Sequence, residues 1–384
     1  MVAALLPGSS SAQEAVTVVE LDFPAGIAFD SDGTMYVSER AGRIMVVEDG
    51  SRRADLLATI PTITSGETGL LGLAVAPDDS FLYAFATAPD GASNRVHRVP
   101  LPRGEPAIVV DGLPASGYHN GGGVAFAPDG NLLVTNGEQH DSDRAQQPGE
   151  LGGKVYRYTP QGDVPGDNPF GDSAAYAIGL RNPFGIAIDP VSGNAFVTEN
   201  GPSSHDEIDR IVPGGNYGWP LLNGPGDPPE GIEGSYHDPL LDYPEIIVPT
   251  GIAFAPPDRA QREYRGDLFF GTFGDGTIHR VRLDDARRSA VSDEVFVDAG
   301  EPVIALAWGP RGLYFSTPGA VKVVPIAARR RSTPSPAERE PTPSVTPTRS
   351  PSPAGDPAPG GYGALVVVVL LGGLAALSLR RLRR

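Results

Sequence analysis

The chain has 384 residues with 49 Gly and 40 Pro, an abundance of helix breakers that excludes a helical protein and points to short strands joined by tight turns. It contains no Cys, which removes disulfides, thiolate metal centres and cysteine nucleophiles. The net charge of −17 is uneven, +6 from Arg329 onward and −23 before it, and so acidic a body repels phosphate backbones and excludes nucleic acid as a partner.

In chain order, residues 1–18 read as the remnant of an export signal or a disordered N-terminus, built on the small-residue stretch MVAALLPGSSSAQEA. Residues 19–328 carry six copies of one pattern. These are GIAFDSDGTMYV from Gly26, GLAVAPDDSFLYAF from Gly72, GVAFAPDGNLLVT from Gly123, GIAIDPVSGNAFVT from Gly185, GIAFAPPDRAQREYRGDLFFGTF from Gly251, and ALAWGPRGLYFST from Ala305. Each is an apolar strand, a turn of Pro, Asp or Gly, and a second apolar strand, which is a hairpin signal. A third apolar stretch follows each copy: GRIMVV, NRVHRV, GKVYRY, DEIDRIV, GTIHRV and GAVKVV. A strand repeat recurring every 46, 51, 62, 66 and 54 residues predicts an all-β, six-bladed β-propeller with insertions in blades three to five. The inner loops at one end of the axis are where such a fold carries its site.

Three loops hold chemically suggestive residues. YHNGGG, residues 118–123, places His119 beside glycines that let backbone approach a ligand; an exposed turn histidine is the alternative. In the long insertion from 136 to 182, Glu138, His140, Asp141 and Asp143 lack the spacing of a calcium loop and read as a solvated acidic loop. Arg181 and Asn182 close that insertion, and Arg181 is suited either to an anion or carbonyl ligand or to a salt bridge between blades. In TENGPSSHDEIDRIVPGGNYGWP, the Gly201-Pro202 turn frees carbonyls near Asp206 and Glu207, a set of oxygens suited to Ca²⁺.

The two final segments differ from the body. Residues 329–360 form a Pro/Ser/Thr-rich stalk that cannot bury a core. Residues 361–384 begin with 19 uncharged residues, GYGALVVVVLLGGLAALSL, and end in RRLRR. This predicts one transmembrane helix with its Arg end cytoplasmic, or a bacterial sorting tail, and an extracytoplasmic body anchored to the cell membrane.

Taken together, FPAGIAFDSDGTMYVSERAGRIMVV, GETGLLGLAVAPD, HNGGGVAFAPDG, GDVPGDNPF, GLRNPFGIAIDP, ENGPSSHDEIDRIVPGGNYGWP and REYRGDLFFGTF resemble the soluble PQQ-dependent sugar dehydrogenases, the glucose/sorbosone dehydrogenase family of six-bladed propellers. The resemblance covers about residues 20–325. It implies that His119 is the general base for the sugar's C1 hydroxyl, and that Arg181 and Asn182 contact the oxygens of the quinone PQQ. It further implies that Asn200 stands beside the cofactor where Gln is usual, and that Asp206 hydrogen-bonds near His119 or the cofactor. The carbonyls of Gly201 and Pro202 would hold a Ca²⁺ acting as a Lewis acid. The chain departs from the family where cations hold the PQQ carboxylates: Gly274 replaces a Lys, and Pro302 and Ile304 replace an Arg-x-Arg. Arg280 and Arg282 lie nearby, but their alternation along a strand suits a surface role.

The expectation is an exported, membrane-tethered, quinoprotein-like aldose dehydrogenase that oxidises a sugar at C1 to a lactone and passes electrons to an external acceptor. The alternatives are a non-enzymatic propeller that binds a glycan or protein, and a Ca²⁺-dependent lactonase using Glu67, Asn120, Asn182 and Asp206.

Overall fold

In the computed structural model, which describes residues 14–48 and 53–328, each of the six repeat copies opens a separate sheet. The first strands are Pro24–Phe29, Leu70–Val75, Val124–Phe126, Pro183–Ile188, Pro249–Phe254 and Leu306–Gly309. The third apolar stretches become the third strands Arg43–Val47, Ser93–Pro100, Lys154–Tyr158, Asp206–Ile211, Thr277–Leu283 and Ala320–Val324. Each first strand touches the first strand of the next sheet, and the last touches the first, so the ring closes. The result is an all-β propeller. Its described helical segments are two short 3-10 turns, Ser142–Gln146 and Arg262–Tyr264.

The recurring glycine has a packing cause. A Cβ on Gly26 would stand 2.5 Å from the Leu71 carbonyl oxygen, one on Gly72 2.3 Å from that of Gly122, and one on Gly185 2.3 Å from that of Thr250. Neighbouring first strands therefore approach backbone to backbone, and only glycine fits at the contact. Hydroxyls on the second strands tie the same contacts. Thr198 Oγ1 donates to the Thr250 carbonyl at 2.7 Å while accepting from the Gly185 N–H at 2.8 Å. Outside this polar ring, the apolar core divides into six clusters, each shared by neighbouring sheets. Phe196 and Ile208 of the fourth sheet, for example, pack with Phe254 and Phe270 of the fifth.

Two features depart from a simple repeat. The third sheet has six strands, whereas the other five have four each. Its extra strands, Gly215–Asn216 and Ser235–Tyr236, come from the chain between the third and fourth strands of the fourth sheet and pair in parallel onto Ala175–Ile178. The last sheet is completed by the N-terminal strand Val16–Glu20, which pairs antiparallel with Ala320–Val324. Residues 16–18 therefore belong to the propeller, and not to the N-terminal segment expected to end at residue 18. The stalk and the apolar segment 361–379 lie outside the described residues. Among the described residues, no helix is long and apolar enough to cross a membrane.

Candidate functional site

Every sheet sends one loop to the same end of the ring. Phe23, Glu67, His119, Arg181, Val248 and Ile304 each sit just ahead of a first strand, and all six line one cavity of about 490 Å³. Arg40, Asn200 and Phe273 join them from the exits of second strands. The volume falls in the range of roughly 300–1,000 Å³ typical of small-molecule sites. The axial channel lined by Gly26, Gly72, Gly123, Gly185 and Gly251 is only about 100 Å³ and presents backbone and aliphatic groups.

His119 is the most constrained residue of the cavity. Its φ is +56°, and its backbone N–H donates to Glu67 Oε2 at 2.7 Å. Gly137 lies against its carbonyl so closely that a Cβ there would stand 2.3 Å from the oxygen. The imidazole is 5% exposed and bonded at both nitrogens: Nδ1 lies 2.7 Å from Glu138 Oε1, and Nε2 lies 2.9 Å from an Arg181 Nη. A guanidinium can only donate, so Nε2 presents its lone pair and the ring proton sits on Nδ1, directed at Glu138. That is the tautomer a general base needs, with Arg181 covering its basic nitrogen. The ring of His140 packs on that of His119 at 4.1 Å between centroids.

Arg181 is held from behind. One Nη donates to the carbonyls of Asn200 at 2.7 Å and Gly201 at 3.0 Å, and the guanidinium lies 5.6 Å over the ring of Trp219. Beneath it, buried Glu199 Oε1 accepts the Asn182 N–H at 2.6 Å. Burial pushes the Glu199 carboxyl well above the usual range. Glu207 and Asp209 occupy the neighbouring strand, with Glu207 directly opposite Glu199. Burial, with the charges of Asp209 and Glu199, pushes Glu207 up to about 10, and burial pushes Asp209 up to about 8.

Several expected roles change on this geometry. Asp206 lines the cavity but is 1% exposed, and its carboxylate accepts three backbone N–H groups: Gly201 at 2.8 Å, Ile247 at 2.8 Å and Val248 at 2.7 Å. It holds two turns, including the φ of +56° at Val248, and does not reach His119. The Gly201 carbonyl expected to bind Ca²⁺ accepts from the Arg181 guanidinium at 3.0 Å, and Pro202 is exposed and outside the cavity lining. Asn182 is buried, its Oδ1 accepting the Gly121 N–H at 3.1 Å and its Nδ2 donating to Glu67 at 3.4 Å. Asn200 keeps a buried Oδ1 without a hydrogen-bond partner at the cavity edge. The lactonase quartet does not converge, because the Asn120 amide is spent on Ser116 and Asn94 and the Asp206 carboxylate on backbone. Arg280 binds Asp267 and Glu294, away from the cavity, as its strand position implied.

Glu138 is the functional residue the sequence hid. It sits in what reads as a solvated acidic loop; Asp141 and Asp143 are indeed exposed, whereas Glu138 is 2% exposed and fixes the His119 tautomer. The signal available was positional. Glu138 leaves the second strand of its sheet as Asn200 leaves the second strand of the next.

Comparison with known proteins agrees with this geometry. The family model of glucose/sorbosone dehydrogenases matches residues 21–321. The PQQ-bound aldose sugar dehydrogenase from Streptomyces coelicolor is 30% identical, with a TM-score of 0.70 over 80% of this chain and 95% of that one. A Thermus thermophilus structure, provisionally described as an oxidoreductase (glucose dehydrogenase), is 34% identical, with a TM-score of 0.72 over 80% of this chain and 98% of that one. Among sequence relatives, the aldose sugar dehydrogenase YliI of Escherichia coli is 28% identical over 325 residues, 77% of this chain and 87% of its own length.

Proposed function

The chain belongs to the glucose/sorbosone dehydrogenase family, and from that premise we propose that it is an aldose dehydrogenase of the quinoprotein type. Its ring counts six blades when the six-stranded sheet is taken as the third. The observation that carries the reading is His119, buried at the cavity with Nδ1 against Glu138 and Nε2 against Arg181. In this reading the Arg181 guanidinium turns from Nε2 to the quinone, and the freed Nε2 takes the proton of the C1 hydroxyl of a bound aldose as the C1 hydrogen leaves as hydride, which yields the lactone. Bound PQQ supplies the carbonyl carbon that accepts the hydride. Arg181, with the Asn182 amide beside it, is suited to hold the quinone end. The Asp206 carboxylate keeps the Gly201 and Val248 turns in place, and the aliphatic wall excludes water from the base. An external acceptor would then reoxidise the quinone.

Support for export and tethering comes from the uncharged 361–379 segment and its Arg-rich end. The full chain is expected in the membrane fraction, and a chain ending at Ala328 in the soluble one. Full-length protein recovered in the soluble fraction would remove the anchor. Activity is tested by adding PQQ, or separately its trimethyl ester, and an artificial electron acceptor with a panel of aldoses. Oxidation of none of them with either quinone would leave the glycan- or protein-binding propeller as the better account.

A further inference from the structure

We propose that the cavity selects a planar quinone carrying fewer negative charges than PQQ, one that is uncharged or singly charged. This rests on reading the cavity as a quinone site and concerns the wall opposite His119. The cations lining the cavity are Arg40 and Arg181, and the carboxylates Glu67 and Asp206 balance them. Both cations are already engaged with protein groups. Arg40 donates to the carbonyls of Thr68, at 2.9 Å, and Gly66, and lies 5.2 Å over the Phe23 ring. Arg181 donates to two carbonyls and to His119 Nε2.

The opposite wall is apolar: Ile246, Val248, Phe273 and Ile304. It is also fixed. The Asp206 carboxylate holds the N–H groups of Ile247 and Val248, whose carbonyls in turn accept from Gly274 at 3.1 Å and Phe273 at 2.8 Å. A Cβ at Gly274 would stand 2.8 Å from the Ile247 carbonyl oxygen, so position 274 has no room for a side chain without a shift of that wall. PQQ brings three carboxylates. Each one set against this wall forgoes a charge-assisted hydrogen bond and loses hydration, a penalty of roughly 10- to 100-fold in affinity. The surrounding body, at −23 before Arg329, opposes a trianion further. A quinone without those charges keeps the contact to Arg181 and gains the apolar wall.

The test compares PQQ with its trimethyl ester by quenching of tryptophan fluorescence and by the shift in Tm on binding, since Trp219 stands beside Arg181. The ester is expected to bind at least as tightly as PQQ. PQQ bound more than 10-fold tighter than the ester, with an advantage that shrinks as salt rises, would overturn the inference while leaving the quinone site intact. Binding of neither would overturn the quinone reading, and this inference with it. Phe273→Lys, at a position 43% exposed, is expected to tighten PQQ roughly 10-fold and to weaken the ester, which loses the aromatic ring from its wall. Ile304→Arg repeats the test from a buried position on the same wall. If both variants fold and neither improves PQQ binding, the assignment of that wall to the carboxylate end is wrong.

Discussion

The two walls of the cavity come from the same repeat and share no chemistry. The wall built by the third and fourth sheets is polar, buried and linked by hydrogen bonds: Glu138, His119, Arg181 and the Asn200 carbonyl form one connected chain. The wall of the fifth and sixth sheets presents Phe273 and Ile304, and its hydrogen bonds run within the backbone behind the surface. Both walls hold a non-glycine residue at positive φ, His119 on one and Val248 on the other. Each such residue costs on the order of 1–3 kcal/mol and persists because carboxylates grip the backbone around it, Glu67 for His119 and Asp206 for Val248. The difference teaches that equivalent loop positions in a propeller are neutral sites. Which loop becomes chemical depends on the buried groups that fix it.

The comparison breaks first at His119. If the polar wall alone does the chemistry, His119→Ala lowers the rate of aldose oxidation by roughly 10²–10⁴-fold while changing quinone affinity little. A variant that loses both together would make His119 a binding residue. Asp206 is expected to behave in the opposite way. Asp206→Ala orphans three backbone donors, each worth about 1–3 kcal/mol, so a stability loss of about 3–9 kcal/mol is expected, with affinity falling alongside. Chemical denaturation and quinone titration on the same preparations check this. An unchanged midpoint with a reduced rate would return Asp206 to direct catalysis.

The two walls were unequally legible in the sequence. The repeat was readable because Gly26, Gly72 and Gly185 answer a local steric demand at contacts between neighbouring first strands. The strands after each hairpin were readable from their apolar content. The parallel additions Gly215–Asn216 and Ser235–Tyr236 were not, since two-residue strands have no periodicity and they join the third sheet from the chain between two strands of the fourth. His119 and Arg181 emerged from the resemblance, and the geometry brings them together at 2.9 Å. Glu138 was lost among acidic neighbours because burial is a tertiary property that composition does not carry. The contact of the Gly201 carbonyl with Arg181 was hidden for the same reason: a carbonyl's partner is set by where Arg181 lands, not by the turn that frees the oxygen.

The smallest effect is expected behind the polar wall, where acidity accumulates without cations. Asp209 is fully buried, and neither of its carboxyl oxygens has a hydrogen-bond partner. Burial raises it from 3.8 to about 8. Between these two values the folded state binds more protons than the unfolded state, so stability is greatest below about pH 4 for this group and is lost as pH rises toward about 8. Asp209→Asn removes that proton linkage while keeping the shape. In EDTA, so that no divalent cation neutralises the cluster, Tm of the parent should fall between pH 5 and pH 8 more steeply than Tm of the variant. With Glu207 and Glu199 still sharing the site, the difference is expected to reach only about 1–2 kcal/mol, or roughly 2–4 °C for a domain of this size. Parallel Tm profiles for parent and variant would mean that Asp209 ionises as freely folded as unfolded, and that the polar wall is not backed by buried acid.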